Sequence, residues 1–174
     1  RYAVFFNGSL YAPYAANLHA FLHSERCYEI YMGKVRELAR LGLGDSPAVI
    51  AWEPWNEIGC IGPWRNDVGP WSDRVMRDLR RMFPRQMTTQ NLGSFSSPGI
   101  FDYYDYLCTM EGNDFLQVHR YLDCGGELDV CRGPMDVLAA DAVRELRDRN
   151  PRKPVLLAEV GAVKPNHTGP SILY

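Results

Sequence analysis

The sequence predicts an α/β fold in which helices cover the outside of a parallel sheet. Short apolar runs alternate along the chain with longer segments whose apolar residues recur every three or four positions. Strand and helix follow one another regularly, which is typical of parallel sheets. No shift in composition interrupts this alternation, so we expect residues 1–174 to form one domain.

The first predicted helix begins after Ser24, which can cap it, and runs to about Leu41. Gly42, Gly44 and Pro47 end it. The residues expected to face inward are Tyr28, Tyr31, Val35 and Leu38. The apolar run Ala48–Ala51 then predicts a buried strand.

A second helix is predicted to begin near Ser72 and to end before Pro84. Its inward residues are expected to be Val75, Met76, Leu79 and Met82. A strand is predicted over Gln86–Gln90, and a short helix or loop over Phe101–Leu107.

The last part of the chain predicts a strand, a helix and a further strand. The strands are expected over Asp114–Tyr121 and Pro154–Glu159, and the helix around Met135–Arg149. The helix should bury Val137, Leu138, Val143 and Leu146 and expose Arg144, Arg147, Asp148 and Arg149.

Polar residues stand where the predicted strands end. Asn56 and Glu57 follow the strand at Ala48–Ala51, and Glu159 ends the last strand. His119 and Tyr121 end the strand between them. In a parallel barrel the carboxyl ends of all strands face one mouth, so these side chains would converge there.

Two glutamates at one mouth indicate acetal hydrolysis. One carboxyl can protonate the leaving oxygen while the other attacks the sugar or stabilises its cation-like state. Strand-end glutamates also form structural salt bridges, which is the alternative for either residue alone.

The ordered set Asn56-Glu57, His119-x-Tyr121 and Glu159 resembles clan A of the glycoside hydrolases, and most closely the family-5 cellulases and mannanases. The resemblance implies a (β/α)8 TIM barrel that retains configuration at the anomeric carbon. It implies Glu57 as acid/base and Glu159 as nucleophile. Asn56 would hold the 2-hydroxyl of the sugar, and His119 would line the same subsite. Tyr121 would donate a hydrogen bond to the nucleophile.

A complete barrel of this kind needs about 250 residues, whereas this chain has 174. We therefore expect only part of it, about strands 3/4 to 7, with Ala3–Phe6 as a possible remnant of the third strand and the other strands in a longer chain. The isolated fragment is then expected to be inactive or weakly active.

The expected partner is a carbohydrate, of glucan, mannan or short β-linked oligosaccharide type. Trp64 lies in the loop after Glu57, where its indole could stack on a pyranose ring or simply pack the loop onto the rim. Trp52 and Trp55 lie near the strand end as core or cleft wall.

Composition and hydropathy argue against nucleic acid as a partner and against a membrane span. The chain is 46% hydrophobic and 23% charged with a formal charge of -2, which argues against disorder and against a surface for nucleic acid. No stretch approaches the roughly 20 apolar residues of a membrane span. Cys124 and Cys131 could close a disulfide, which would indicate a secreted or extracytoplasmic protein, or could be free thiols.

No metal or organic cofactor is expected for this chemistry. A metal-dependent barrel hydrolase built on His119 is the weaker alternative, because clustered histidine ligands are lacking. A catalytically silent carbohydrate-binding protein on the same fold is the other alternative, since fold does not determine function.

Overall fold

A computed structural model of the protein describes residues 19–58, 65–91, 108–121 and 135–161. At 65–67, 120–121, 135–139 and 161 it describes the backbone alone. The predictions for Ala3–Phe6, Trp64, Phe101–Leu107, Cys124 and Cys131 lie outside the described residues.

Helix α1 spans Glu25–Arg40, as predicted from its cap. The Oγ of Ser24 accepts a hydrogen bond from the backbone N–H of Cys27 at 3.3 Å, which satisfies one of the free donors of the first turn. Tyr28, Met32 and Val35 are buried along one face. The prediction that Leu38 faces inward was wrong, because its side chain is 36% exposed and Met32 fills the core instead.

Helix α2 spans Arg65–Met82 and therefore begins seven residues before the predicted start at Ser72. Pro70 lies inside it and removes one intrahelical hydrogen bond. The additional turns bury Val68 and Trp71, each 3% exposed. Burial of two such side chains contributes about 3 kcal/mol or more, which is comparable to the cost of about 3 kcal/mol of a proline inside a helix.

Strand β1 is shorter than predicted and spans Ala51–Trp52. The prediction of a buried strand over Ala48–Ala51 was wrong for most of its length, because Ile50 is 70% exposed. The chain is still turning there, since the backbone N–H of Val49 donates to the carbonyl of Ser46 at 3.2 Å. Ladder pairing begins only at Ala51, which is opposite Met87.

The remaining elements follow in the predicted order. Strand β2 spans Met87–Thr88, β3 spans Leu116–Tyr121, helix α3 spans Met135–Arg149 and β4 spans Val155–Gly161. The bounds of α3 agree with the prediction from its periodicity.

On α3, Leu146 is buried and Val143 is partly buried. Arg144, Arg147 and Asp148 are exposed, as predicted, while Arg149 is half-buried. The side chains of Val137 and Leu138 lie outside the described ones.

The described strands form two parallel pairs, β1 with β2 and β3 with β4. The chain entering β3 also bonds to the end of β2, because the N–H of Asp114 donates to the carbonyl of Thr88 at 2.9 Å. Strand neighbours thus follow chain order, with helices α2 and α3 as crossover connections. Such an order is compatible with one wall of a barrel, and closure into a (β/α)8 barrel stays a prediction.

The core lies between the strands and the helices. Val75, Met76, Leu79 and Phe83 of the α2 region and Leu116 and Val118 of β3 are almost fully buried. Cys27 is partly buried and Cys108 is buried. Among the helices in the described part of the chain, none has the length and apolar character needed to cross a membrane.

Candidate active site

Glu57 lies in a turn beyond the end of β1, five residues after Trp52. The prediction that it stands directly on the strand tip was therefore wrong. Its backbone is left-handed, with φ at 50°, a region that costs an ordinary side chain free energy. The turn is held by Ile58, which is fully buried and whose N–H donates to the carbonyl of Asn91 at 3.3 Å.

His119 is the centre of the site. It lies on β3 and is 1% exposed. Its Nδ1 is 2.8 Å from Oε1 of Glu57 and 3.4 Å from Oε2 of Glu159. The structure thus brings together three side chains that the sequence predicted to converge, and we call them the acid–histidine cluster.

A β-bulge places Glu159 in this cluster. Val118 is paired with Leu157, but His119 is paired with Glu159, so Ala158 is an extra residue on β4. In an unbroken register Ala158 would face His119, and Glu159 would pair with Arg120 on the other face of the sheet. The bulge therefore re-aims the carboxylate toward the imidazole.

The two carboxylates of the cluster are close. One carboxylate oxygen of Glu57, one of Glu159 and a ring nitrogen of His119 all lie within 4.8 Å of one another. Both carboxylates are only partly buried, so a ligand can reach them from solvent.

A buried polar layer supports the cluster, and sequence reasoning missed it. Glu53 directly follows β1, and it is Glu53 rather than Glu57 that occupies the strand tip. Its Oε1 accepts hydrogen bonds from the backbone N–H of Asn91 at 3.3 Å and from Nδ2 of Asn91. Burial raises the pKa of Glu53, while hydrogen bonds from Gln117 and from the Asn91 backbone partly oppose that rise.

Asn91 also contacts the cluster itself. Its Nδ2 is 3.3 Å from Nε2 of His119, on the opposite side of the ring from the two carboxylates. The signal that could have identified this layer is the run of four polar residues Thr88–Asn91 at the end of β2, all of which are buried. Such residues belong inside a protein only where they are hydrogen-bonded or face a ligand.

For the other predicted site residues, the structure describes no contact with the acid–histidine cluster. Asn56 is exposed, next to Glu57 in the turn. The backbone of Tyr121 pairs with Gly161 at the end of β3, while its side chain and its predicted bond to Glu159 lie outside what is described. Trp52 and Trp55 pack against the core, and Trp64 lies outside the described residues.

Two carboxylates and an imidazole are also ligands that a divalent cation could take. Coordination would require a free lone pair on the ring nitrogen that faces the carboxylates, and that nitrogen is Nδ1.

Comparison with known protein families finds no family model that matches this chain, and no curated protein has a matching sequence.

Proposed function

We propose that this protein is a retaining β-glycosidase that hydrolyses β-linked glucan- or mannan-type polysaccharides or oligosaccharides. The single observation that carries the proposal is the short separation between the carboxylates of Glu57 and Glu159, whose facing oxygens lie within 4.8 Å. Retaining glycosidases hold their two carboxyls about 5–5.5 Å apart, whereas inverting enzymes keep about 6.5–9.5 Å for a water molecule. The β configuration and the polysaccharide class rest on the motif resemblance.

In the proposed first step, Glu57 protonates the glycosidic oxygen while Glu159 attacks the anomeric carbon. The bond from that carbon to the leaving oxygen breaks, and the sugar becomes an ester of Glu159. In the second step Glu57 removes a proton from water, which attacks the same carbon and releases Glu159 as a carboxylate. Two inversions give net retention.

The imidazole of His119 contacts both acids and lies between them. A buried ring with little freedom to rotate holds the carboxylates at a constant spacing. Asn56, exposed beside Glu57, is available for the 2-hydroxyl of a bound sugar.

The experiment that tests the proposal is Glu159→Ala in the full-length protein, assayed on aryl β-glycosides with and without sodium azide. We expect turnover to fall by on the order of 10³-fold or more, since the residue would form the covalent bond. Azide should restore part of it, because the small anion can enter the space left by the carboxylate and attack the anomeric carbon. The expected product is a glycosyl azide of inverted configuration.

A second candidate function, metal-dependent hydrolysis, is favoured by the same three ligand groups. The two candidates differ in their response to a chelator. A glycosidase should keep its rate in EDTA, and the Glu159→Ala variant should respond to azide but not to added Zn²⁺. Loss of wild-type activity in EDTA, together with no rescue by azide, would overturn the glycosidase proposal.

A further inference from the structure

We infer that Asn91 is a positioning residue that keeps the imidazole proton of His119 on Nδ1. The inference rests on the proposed function for its catalytic meaning, but the position of the proton is a property of the protein itself. It follows from the direction of each hydrogen bond in a chain from Glu53 to the acid–histidine cluster.

The carboxylate of Glu53 determines which way the Asn91 amide points. Oε1 of Glu53 accepts from the backbone N–H of Asn91 at 3.3 Å and also contacts its side-chain amide. The amide atom facing a carboxylate oxygen must be the NH2 group, since an amide oxygen there would place two acceptors together. Glu53 therefore fixes Nδ2 of Asn91 toward the ring of His119.

The same NH2 group has a second hydrogen, and its nitrogen lies 3.3 Å from Nε2 of His119. A ring nitrogen that faces a donor must be an acceptor, so Nε2 bears the lone pair. A proton on Nε2 would point at the N–H of Asn91, so this contact disfavours the tautomer that is protonated on Nε2.

The opposite side of the ring gives the same answer independently. Nδ1 faces Oε1 of Glu57 at 2.8 Å and Oε2 of Glu159 at 3.4 Å. The Glu159 carboxylate is an acceptor only, and the protonated acid form of Glu57 keeps a carbonyl oxygen that accepts. An N–H on Nδ1 satisfies this side, and a lone pair on Nε2 satisfies the other.

Two consequences follow for the site. The N–H on Nδ1 is directed between the two acids and contacts both carboxyl groups. The same proton occupies the Nδ1 position that a metal ion would need, so the cluster is not a cation site while Asn91 holds this orientation.

The test is the 15N NMR spectrum of the histidines in the substrate-free full-length protein near neutral pH. His119 is one of 4 histidines in this chain and is identified by the loss of its signals in His119→Gln. We expect a protonated, pyrrole-type Nδ1 and an unprotonated, pyridine-type Nε2. A wild-type spectrum with a protonated Nε2 would overturn the inference without any need for a further variant.

The double variant Glu53→Gln/Asn91→Asp reverses the direction of the hydrogen bonds that run from residue 53 through residue 91 to His119. The new amide at position 53 would donate to the new carboxylate at position 91, and that carboxylate would accept from Nε2 of His119. We therefore expect Nε2 to change to the protonated, pyrrole-type signal.

The matched control is Asn113→Asp, an equally conservative change in a buried asparagine whose Oδ1 accepts from the N–H of Gln90 at 2.6 Å. The control should leave the His119 signals in place. Equal shifts in the control and in the double variant would contradict a specific role for Asn91.

This measurement separates the two proposals. If the protein shows the expected tautomer but hydrolyses no glycoside, the positioning role of Asn91 is sustained and the glycosidase proposal is rejected. If azide rescues Glu159→Ala but Nε2 of His119 is protonated, the glycosidase proposal is sustained and the positioning role of Asn91 is rejected.

Discussion

At the scale of single residues, the backbone of Glu57 is the most informative feature. A glutamate at φ 50° is uncommon because its Cβ approaches the following carbonyl. The turn is nevertheless held from several sides, by burial of Ile58 and by the hydroxyl of Tyr31, which donates to the carbonyl of Pro54 at 2.8 Å. Strain that the surroundings enforce at a polar residue is typical of a functional site.

We therefore predict that Glu57→Gly is more stable than Glu57→Ala. Both variants lose the carboxylate and its contact with His119, but only glycine adopts a left-handed backbone without cost, which should be worth about 1 kcal/mol. Urea unfolding of the two proteins measures the difference.

The control for this comparison is Lys34, an exposed residue within α1. There the order should reverse, with Lys34→Gly less stable than Lys34→Ala by about 1 kcal/mol. Equal stability of the two Glu57 variants would show that the turn relaxes and stores no strain.

The proximity of the site residues was predictable from strand ends more than from neighbouring strands. His119 and Glu159 were predicted because each ends an apolar run, and Glu57 was predicted to join them although it lies in a turn beyond β1. Glu53 and Asn91 were not, because their partnership links β1 to the chain after β2 across 38 residues of sequence.

At the scale of elements, helices α1 and α3 were predictable, whereas the start of α2 and the strand bounds were less so. Helices α1 and α3 have a periodic apolar face, and α1 also has a capping serine, so local sequence defines them. Strands β1 and β2 have two residues each, too few for a periodic signal. The bulge at Ala158 depends on register with β3, which is a property of the pair and not of either strand.

The contact between α2 and the loop before β3 gives the next prediction. A Cβ on Gly112 would lie 2.9 Å from Cε and 3.0 Å from Cβ of Met76. The terminal methyl can move, but the Cβ of Met76 is attached to the backbone of α2 on its buried face. We expect Gly112→Ala to lower the free energy of unfolding by about 1–3 kcal/mol.

Gly33→Ala in α1 is the matched substitution. Its new Cβ would meet only the guanidinium of Arg36 at 3.8 Å, and alanine is the better helix former, so stability should rise by about 1 kcal/mol. Chemical denaturation of both variants checks the pair. A Gly112→Ala protein as stable as the wild type would mean that α2 is not packed closely against this loop.

At the scale of the whole molecule, the chain places apolar side chains between strands and helices and polar side chains on the opposite face of β3. Leu116 and Val118 meet the helices, while Gln117 and His119 face the polar layer. A sheet that is apolar toward its helices and polar on its other face is suited to line a site. The parallel pairing and the chain-order strands were predictable from the alternation of elements. Closure of the wall into a barrel stays a prediction, because it depends on pairing beyond these four strands.

The partly buried carboxyl of Glu53 in that polar layer predicts how stability depends on pH. Burial raises the pKa of Glu53 above its ordinary value of 4.5, so the folded protein binds this proton more tightly than the unfolded chain does. The resulting stabilisation is complete below the unfolded pKa and is lost as pH rises through the folded pKa. Glu53→Gln cannot titrate but keeps an oxygen that can accept from Asn91. The unfolding free energy of the wild type minus that of Glu53→Gln should therefore fall as pH increases from below 4.5 to neutrality.

Glu25 provides the opposite case within the same molecule. Its hydrogen bond from Arg74 lowers the pKa of the exposed carboxyl, so its stabilisation is present at neutral pH and is lost as pH falls. The corresponding difference for Glu25→Gln should rise with pH, and it should shrink in high salt because the pair is exposed to solvent. Urea unfolding of the three proteins over one pH series measures both slopes. Parallel curves for the wild type and Glu53→Gln would mean that the Glu53 carboxyl is as well solvated in the folded protein as in the unfolded chain, and the polar layer beneath His119 would then be open to water.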